Sequence, residues 1–270
     1  MANNEASGRA FAALCDVMDR LRDPGGCPWD RVQTLDTLKP YLLEETYEVL
    51  HALDLGTSSD HREELGDLLF QVVFQSKVRS EEPGGFTAAE VADGIREKLV
   101  RRHPHVFGNQ TAGTADEVLM KWEQLKRVER GGKSVLTGVP PTLPALARAQ
   151  RVGEKASRVG FDWPDVKGVI AKVREELDEL EEALQTPEDT SHIRAELGDI
   201  LFSLAQLSRT LKFNAEDALR ETIERFSARF MHLEAVLRAQ GRTPEKCSPQ
   251  ELDALWNDAK AHEKTGTLQR

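Results

Sequence analysis

Two acidic tetrads, each written across a pair of amphipathic segments, constrain this chain more than any other feature. Glu45 and Glu48 stand three apart within Glu44-Glu45-Thr46-Tyr47-Glu48, and Glu64 and Asp67 stand three apart within Glu64-Leu65-Gly66-Asp67. A spacing of three puts both side chains on one face of a helix, with Cβ atoms about 5–6 Å apart. Two such helices packed antiparallel aim four carboxylates into one gap, and the converging negative charges repel one another strongly unless cations sit between them. The ligands are all hard oxygens, which selects Mg²⁺ or Mn²⁺ over zinc, copper or iron. The arrangement then recurs. Glu175-Glu176-Leu177-Asp178-Glu179 is followed by Glu196-Leu197-Gly198-Asp199, so Glu176, Glu179, Glu196 and Asp199 form a second candidate metal set. The offset is 131 residues from Glu45 to Glu176 and 132 from Glu64 to Glu196. A single acidic cluster is most often a solvated helix face. An ordered double copy with apolar flanks is not explained that way.

The repeat divides the 270 residues into two domains of ordinary size, each large enough for its own core. They are expected at 9–130 and 143–264, joined by a Gly- and Pro-rich linker over 131–142. Alternating β-branched runs do not occur, and the long segments show helical apolar spacing, so the fold class is all-α. The formal net charge of −10 argues against a nucleic-acid binder working through a broad basic surface. It leaves open an anionic substrate held through bound cations. Three widely spaced cysteines offer no disulfide framework and no paired metal spacing. With a polar stretch over 1–9 and no run near the ~20 apolar residues of a membrane span, a cytoplasmic location without membrane partner is expected.

The first helix is predicted over 9–22, stopped by Asp23-Pro24-Gly25-Gly26, with a structured loop at Cys27-Pro28-Trp29-Asp30. A second helix over 38–55 and a third starting on Ser59 as N-cap and running to Ser80 carry the first tetrad. Thr87 and Glu90 form a capping box that opens a helix ending at Arg102; Thr114 and Glu117 form another. In the second half, helices are predicted over 143–158, 165–184 and 188–212, then one capped at Asn214 and one from Ser248. Gly66 and Gly198 fall inside helices, where each costs about 1 kcal/mol relative to Ala. They are expected to mark the close approach of another helix or a ligand. Lys98 and Arg102 stand four apart, as do Arg225 and Arg229; so do Trp122 and Lys126, and Trp256 and Lys260. Each half thus carries, in order, two acidic pairs, a basic pair and a Trp–Lys pair.

This set suits a nucleoside polyphosphate. Mg²⁺ is usually held by a few carboxylates together with phosphate oxygens and water, Lys and Arg neutralise the remaining phosphate charge, and a Trp stacks on a base or lines its pocket. No Gly-rich phosphate loop with a following Lys-Ser or Lys-Thr occurs. The single Glu-x-x-His pair, Glu48 with His51, has no second copy, and a di-iron bundle needs two; no Ser–His–Asp arrangement offers itself. Hydrolysis by metal-activated water is the economical chemistry, with a carboxylate as general base. Glu44 and Glu175 take supporting catalytic roles near the water. The competing reading is a non-enzymatic helical interaction or regulatory module in which the carboxylates are a polar seam.

At these motifs the chain resembles the MazG family of nucleoside triphosphate pyrophosphohydrolases in its two-domain bacterial form, from about Leu14 to Glu263. The resemblance rests on Cys27-Pro28-Trp29-Asp30, Leu43-Glu44-Glu45-Thr46-Tyr47-Glu48, Glu64-Leu65-Gly66-Asp67-Leu68-Leu69-Phe70 and Arg101-Arg102-His103-Pro104-His105-Val106-Phe107. It implies a tandem repeat of MazG-like helical domains whose four-helix-bundle-like cores are completed by dimerisation. It implies Mg²⁺-dependent hydrolysis of NTPs and dNTPs between the α- and β-phosphates, giving monophosphate and pyrophosphate, in nucleotide-pool housekeeping or a stress response. By position, Glu45, Glu48, Glu64 and Asp67 are implied as one metal set and Glu176, Glu179, Glu196 and Asp199 as the other. Lys98, Arg102, Arg225 and Arg229 fall on catalytic positions, and Trp122, Lys126, Trp256 and Lys260 on substrate-binding ones. Arg225 stands where the resemblance implies a Lys in some relatives. His103 and His105 read as structural.

Overall fold

The computed structural model describes residues 2–109, 113–114, 117–118 and 131–264. Their regular structure is all helical, with no strand among the described residues. The chain divides into two compact units, Met1–Lys126 and Arg127–Arg270.

The first unit contains α1 (Ala2–Arg22), α2 (Pro28–Val32), α3 (Lys39–Leu55), α4 (Ser58–Ser80), α5 (Ala88–Arg102) and α6 (Pro104–Phe107). α3 and α4 form a tight hairpin, and α1 packs along α4. Phe70, Val73, Phe74 and Val78 recur at helical spacing on α4 and close over Met18 from α1 and Leu38 from the start of α3. α1 begins seven residues before the predicted Arg9, at Ala2. The expected loop at Cys27 to Asp30 is the short helix α2. Pro28 occupies its first turn, where a fixed φ and a missing N–H cost nothing. Trp29 sets its ring edge-on to Tyr41 at 5.6 Å and to Phe74 at 6.4 Å. Arg22 ties the segment down, donating to Gln33 O at 3.1 Å and to both carboxylate oxygens of Glu81.

Thr57, not Ser59, caps α4. Its backbone is extended at φ −85° and ψ 169°. Its Oγ1 accepts from the N–H groups of Ser59 and Asp60, while Asp60 Oδ2 accepts from the Thr57 N–H at 2.7 Å. The box that closes is Thr57 with Asp60, which places Ser59 inside the first turn. Thr87 and Glu90 make the predicted box at the start of α5.

The second unit contains α7 (Ala145–Ser157), α8 (Val166–Ala183), α9 (Thr190–Thr210), α10 (Ala215–Ala239) and α11 (Pro249–Lys264). α8 and α9 form the second hairpin, α7 lies on α9, and α10 pairs with α11. Gly153 is where α7 meets α9. A Cβ there would lie 1.7 Å from Oε1 of Gln206, a fully buried side chain whose Nε2 donates to Ala149 O at 2.9 Å. The buried Lys155 directs its ammonium at Thr137 O (2.8 Å) and Val135 O (3.3 Å), pinning the segment before α7. At the start of α11, Ser248 Oγ accepts from Glu251 N–H and Glu251 accepts from Ser248 N–H at 2.8 Å.

Both hairpins keep apolar side chains exposed among the described residues of their unit. Leu43, Tyr47, Leu65, Leu69 and Val72 remain 39–57% exposed on α3 and α4, and α5 buries none of its residues. Leu177, Leu197, Leu201 and Phe202 do the same on α8 and α9. No described helix approaches Gly66 or Gly198 closely: a Cβ at either position meets nothing within 4 Å among the described residues. The helix backbone there is open to whatever lies against the hairpin from outside it.

Candidate metal and nucleotide centres

Each hairpin gathers carboxylates because a three-residue spacing on one helix faces its counterpart on the next. On the first, donor oxygens of Glu45, Glu48 and Glu64 lie within 4.8 Å of one another. On the second, those of Glu176, Glu196 and Asp199 do. Asp67 and Glu179 complete the tetrads electrostatically. The charge of Asp67 acts on both Glu45 and Glu64, and that of Glu176 acts on Glu179. Burial, reinforced by the charges of Asp67 and Glu48, holds the Glu45 carboxyl above its ordinary value. Burial and the charges of Glu48 and Asp67 do the same to Glu64. The buried Gln71 hydrogen-bonds Glu45, and its Oε1 accepts no hydrogen bond among the described residues. An oxygen-only donor set, repelled by its own charge and flanked by an unpartnered buried carbonyl, fits a hard divalent cation.

The two centres share ligands but not surroundings. On α8, Lys172 lies 2.7 Å from Glu175 and 2.9 Å from the buried Glu176. Those two carboxylates hold its ammonium well above the usual lysine range. His192 Nε2 lies 3.1 Å from Glu196. The repeat offsets that relate the tetrads take Lys172 back to Tyr41 and His192 back to Asp60. The second centre therefore carries its own lysine and histidine, where the first has a tyrosine and another acid. Lys172 is not among the residues singled out by sequence. Its one signal there is a basic residue four positions before Glu176, a pattern common on exposed helices.

Glu44 lines an open cleft of about 590 Å³ together with Tyr47, Glu48, His51, Glu63 and Glu64. Glu175 is engaged by Lys172. Lys98 lies on α5 beside Phe86, Glu90 and Ile95, and Arg102 is half-buried at the helix end. His103 caps that end, with Nδ1 2.6 Å from Leu99 O. On α10 and α11, Arg229 makes two contacts to Glu263 and sets its guanidinium 5.7 Å from the Trp256 ring centroid. Trp256 also packs on Phe226 at 4.9 Å. Arg225 donates to Thr222 at 2.8 Å, and Lys260 is half-buried one turn past Trp256. These partners of Arg225, Arg229 and Trp256 all lie outside the acidic tetrads. Trp122 and Lys126 lie outside the described residues.

The raised carboxyls of the first centre make a pH signature. The native state binds their protons more tightly than the unfolded chain does, so stability falls as pH rises from 4.5 through the raised native values. Thermal melts in chelator across that range are expected to show wild type losing ground to Glu64→Gln as pH rises. Added Mg²⁺ is expected to restore wild type selectively. Superimposable profiles for the two proteins would mean that the tetrad does not strain the fold.

The fold and the paired centres define a class: all-α tandem repeats that carry a carboxylate cluster on each of two helical hairpins. The MazG nucleotide pyrophosphohydrolase domain matches residues 33–107 and 165–233, which span both hairpins. The chain is 42% identical over 261 residues to a nucleoside triphosphate pyrophosphohydrolase/pyrophosphatase MazG of Thermotoga maritima, covering 96% of this chain and 99% of that protein. It is 44% identical over 255 residues to a nucleoside triphosphate pyrophosphohydrolase of Escherichia coli K12, covering 93% and 97%. An uncharacterized protein of Bacillus subtilis, YabN, is 40% identical over 256 residues, which is 94% of this chain and 52% of that protein. The chain belongs to the MazG nucleotide pyrophosphohydrolase family, a family of hydrolytic enzymes. Among the described residues, no helix is long and apolar enough to cross a membrane.

Proposed function

We propose that the protein hydrolyses nucleoside and deoxynucleoside triphosphates between the α- and β-phosphates, releasing monophosphate and pyrophosphate, with Mg²⁺ as cofactor and Mn²⁺ able to replace it. The observation that carries this reading is the duplicated carboxylate cluster on the two hairpins. Glu45, Glu48, Glu64 and Asp67 would hold the cation in one half, and Glu176, Glu179, Glu196 and Asp199 in the other. When bound, the ion supplies positive charge against the polyphosphate and polarises the attacking water. Glu44 and Glu175 sit beside the tetrads, where a carboxylate orients water and accepts its proton. Lys98, Arg102, Arg225 and Arg229 offset phosphate charge, and Arg gives two parallel N–H donors where Lys gives a point charge. Trp256 and Lys260, with Trp122 and Lys126 in the first half, flank the nucleoside.

A homodimer is part of the proposal, and the exposed apolar side chains of both hairpins support it. Light scattering on the full chain is expected to give twice the chain mass. A monomer at micromolar concentration would contradict it. Nucleotide-pool housekeeping in the cytoplasm is the corresponding role.

Ion-exchange analysis of products from a panel of triphosphates tests the reaction. Monophosphate plus pyrophosphate, formed with Mg²⁺ and not with chelator, is expected. Diphosphate plus orthophosphate would keep the metal and overturn the site of cleavage. No turnover of any nucleotide would favour a helical interaction module.

A further inference from the structure

Outside both tetrads, α10 and α11 bring together three side chains that the hydrolytic reaction does not use. His232 on α10 places Nε2 3.2 Å from Asp258 Oδ2 on α11. His262, one turn past Asp258, places Nδ1 3.5 Å from the same oxygen and 3.0 Å from the Asp258 backbone oxygen, a contact that an ion bound at Nδ1 would replace. The two imidazole rings lie 4.8 Å apart, centroid to centroid. One donor atom from each of the three residues lies within 4.8 Å of the other two.

We propose that His232, Asp258 and His262 bind a late first-row divalent cation, Zn²⁺ foremost, at a site separate from the carboxylate centres. The donor chemistry separates the two kinds of site. Imidazole nitrogen suits Zn²⁺, Co²⁺, Ni²⁺ and Cu²⁺, whereas Mg²⁺ takes oxygen. Two imidazoles and one carboxylate, with a fourth position left to water, make a common open zinc set. Ligand bonds of about 2.0–2.2 Å in a tetrahedron separate donors by roughly 3.3 Å, so the two contacts to Asp258 Oδ2 already have the needed span. Asp258 and His262 share one helix face at a spacing of four, and His232 faces them from the neighbouring helix. The residues are 25–48% exposed, so an ion reaches them without opening the fold.

The ion would join the helix bearing Trp256 and Lys260 to the helix bearing Arg225 and Arg229, acting as a clamp on that pair. It is confined to one half. The offset of 127 that relates the basic pairs takes His232 back to His105, but the offset of 134 that relates the Trp–Lys pairs takes Asp258 and His262 back to Gln124 and Val128.

Co²⁺ reports the site by its visible absorption. The chelator-stripped, tag-free full chain is titrated with Co²⁺ in excess Mg²⁺, which occupies oxygen-only sites. One equivalent of Co²⁺ per chain with bands of a four- or five-coordinate ion, displaced by Zn²⁺, is expected. His262→Ala should weaken binding by more than about tenfold, since even groups that only orient a metal ligand are worth 10–100-fold. His232→Ala with His262→Ala should abolish the bands, whereas Glu196→Gln should keep them. Circular dichroism confirms that each variant is folded, and Asp258→Asn, which preserves side-chain shape, gives an independent loss of affinity. Bands that persist in the double histidine variant would overturn the proposal. So would wild type binding no more tightly than that variant, which would leave the three residues a hydrogen-bonded link between helices.

Discussion

Replacing Glu64 and Glu196 together by Gln is expected to abolish nucleotide turnover and leave the helices intact. Both positions begin the Glu-Leu-Gly-Asp motif of their hairpin and contribute an oxygen to its cluster. Charge stabilisation through a held cation is worth several kcal/mol, and each 1.4 kcal/mol is tenfold in rate, so a loss on the order of 10³-fold in kcat is expected. The fold should not suffer, because Gln is nearly isosteric. In the first centre the substitution also removes a charge that burial and Glu48 already disfavour. Function and stability therefore separate in one variant, read by product formation and by circular dichroism. Each single variant should retain activity, since each half has its own tetrad. One inert single variant beside one normal one would confine catalysis to a single hairpin. Undiminished turnover in the double variant would remove the tetrads from the chemistry.

Phe74→Ala is expected to be the most damaging core substitution in the first unit. Phe74 is 1% exposed and lies at the meeting point of Trp29, Phe70 and the Arg22 guanidinium, whose carbon is 5.7 Å from its ring centroid. Truncating a buried Phe to Ala costs about 3–5 kcal/mol, the sum of lost transfer energy and the cavity left behind. Urea unfolding measures it, and the loss should fall on the transition of the first unit. A change under about 1 kcal/mol, the range of ordinary surface and tolerated sites, would mean that the core is centred elsewhere.

The hairpins and their carboxylates were legible in the sequence because both signals are local. A spacing of three, an apolar period and a repeated Glu-Leu-Gly-Asp identify the helices and the face on which the carboxylates gather. What escaped was decided by geometry across the chain. Thr57 outcompetes Ser59 as cap because Asp60 stands where the box closes back on Thr57. Cys27 to Asp30 folds as a helical turn because Trp29 has Tyr41 and Phe74 to lie against. Lys172 gains its meaning from the burial of Glu176, which no periodicity reveals. The repeat itself hides a divergence. The offset of 132 takes the apolar Phe74 to Gln206, which is equally buried but satisfied by Ala149 O and admitted by the bare Cα of Gly153. His232 comes from a different helix, so only the four-residue spacing of Asp258 and His262 shows in one dimension.

The ammonium of Lys155 has a practical bearing on dissecting the molecule. Composition invites a cut anywhere in 131–142, where Gly and Pro crowd together. Yet Val135 and Thr137 supply carbonyl oxygens to a lysine that is 7% exposed. A fragment begun at Leu143 would strip those two acceptors from a buried cation, at a cost a small domain can ill absorb. A half-molecule that keeps both acceptors starts upstream of Val135, so the apparent tether is in part the first wall of the second domain.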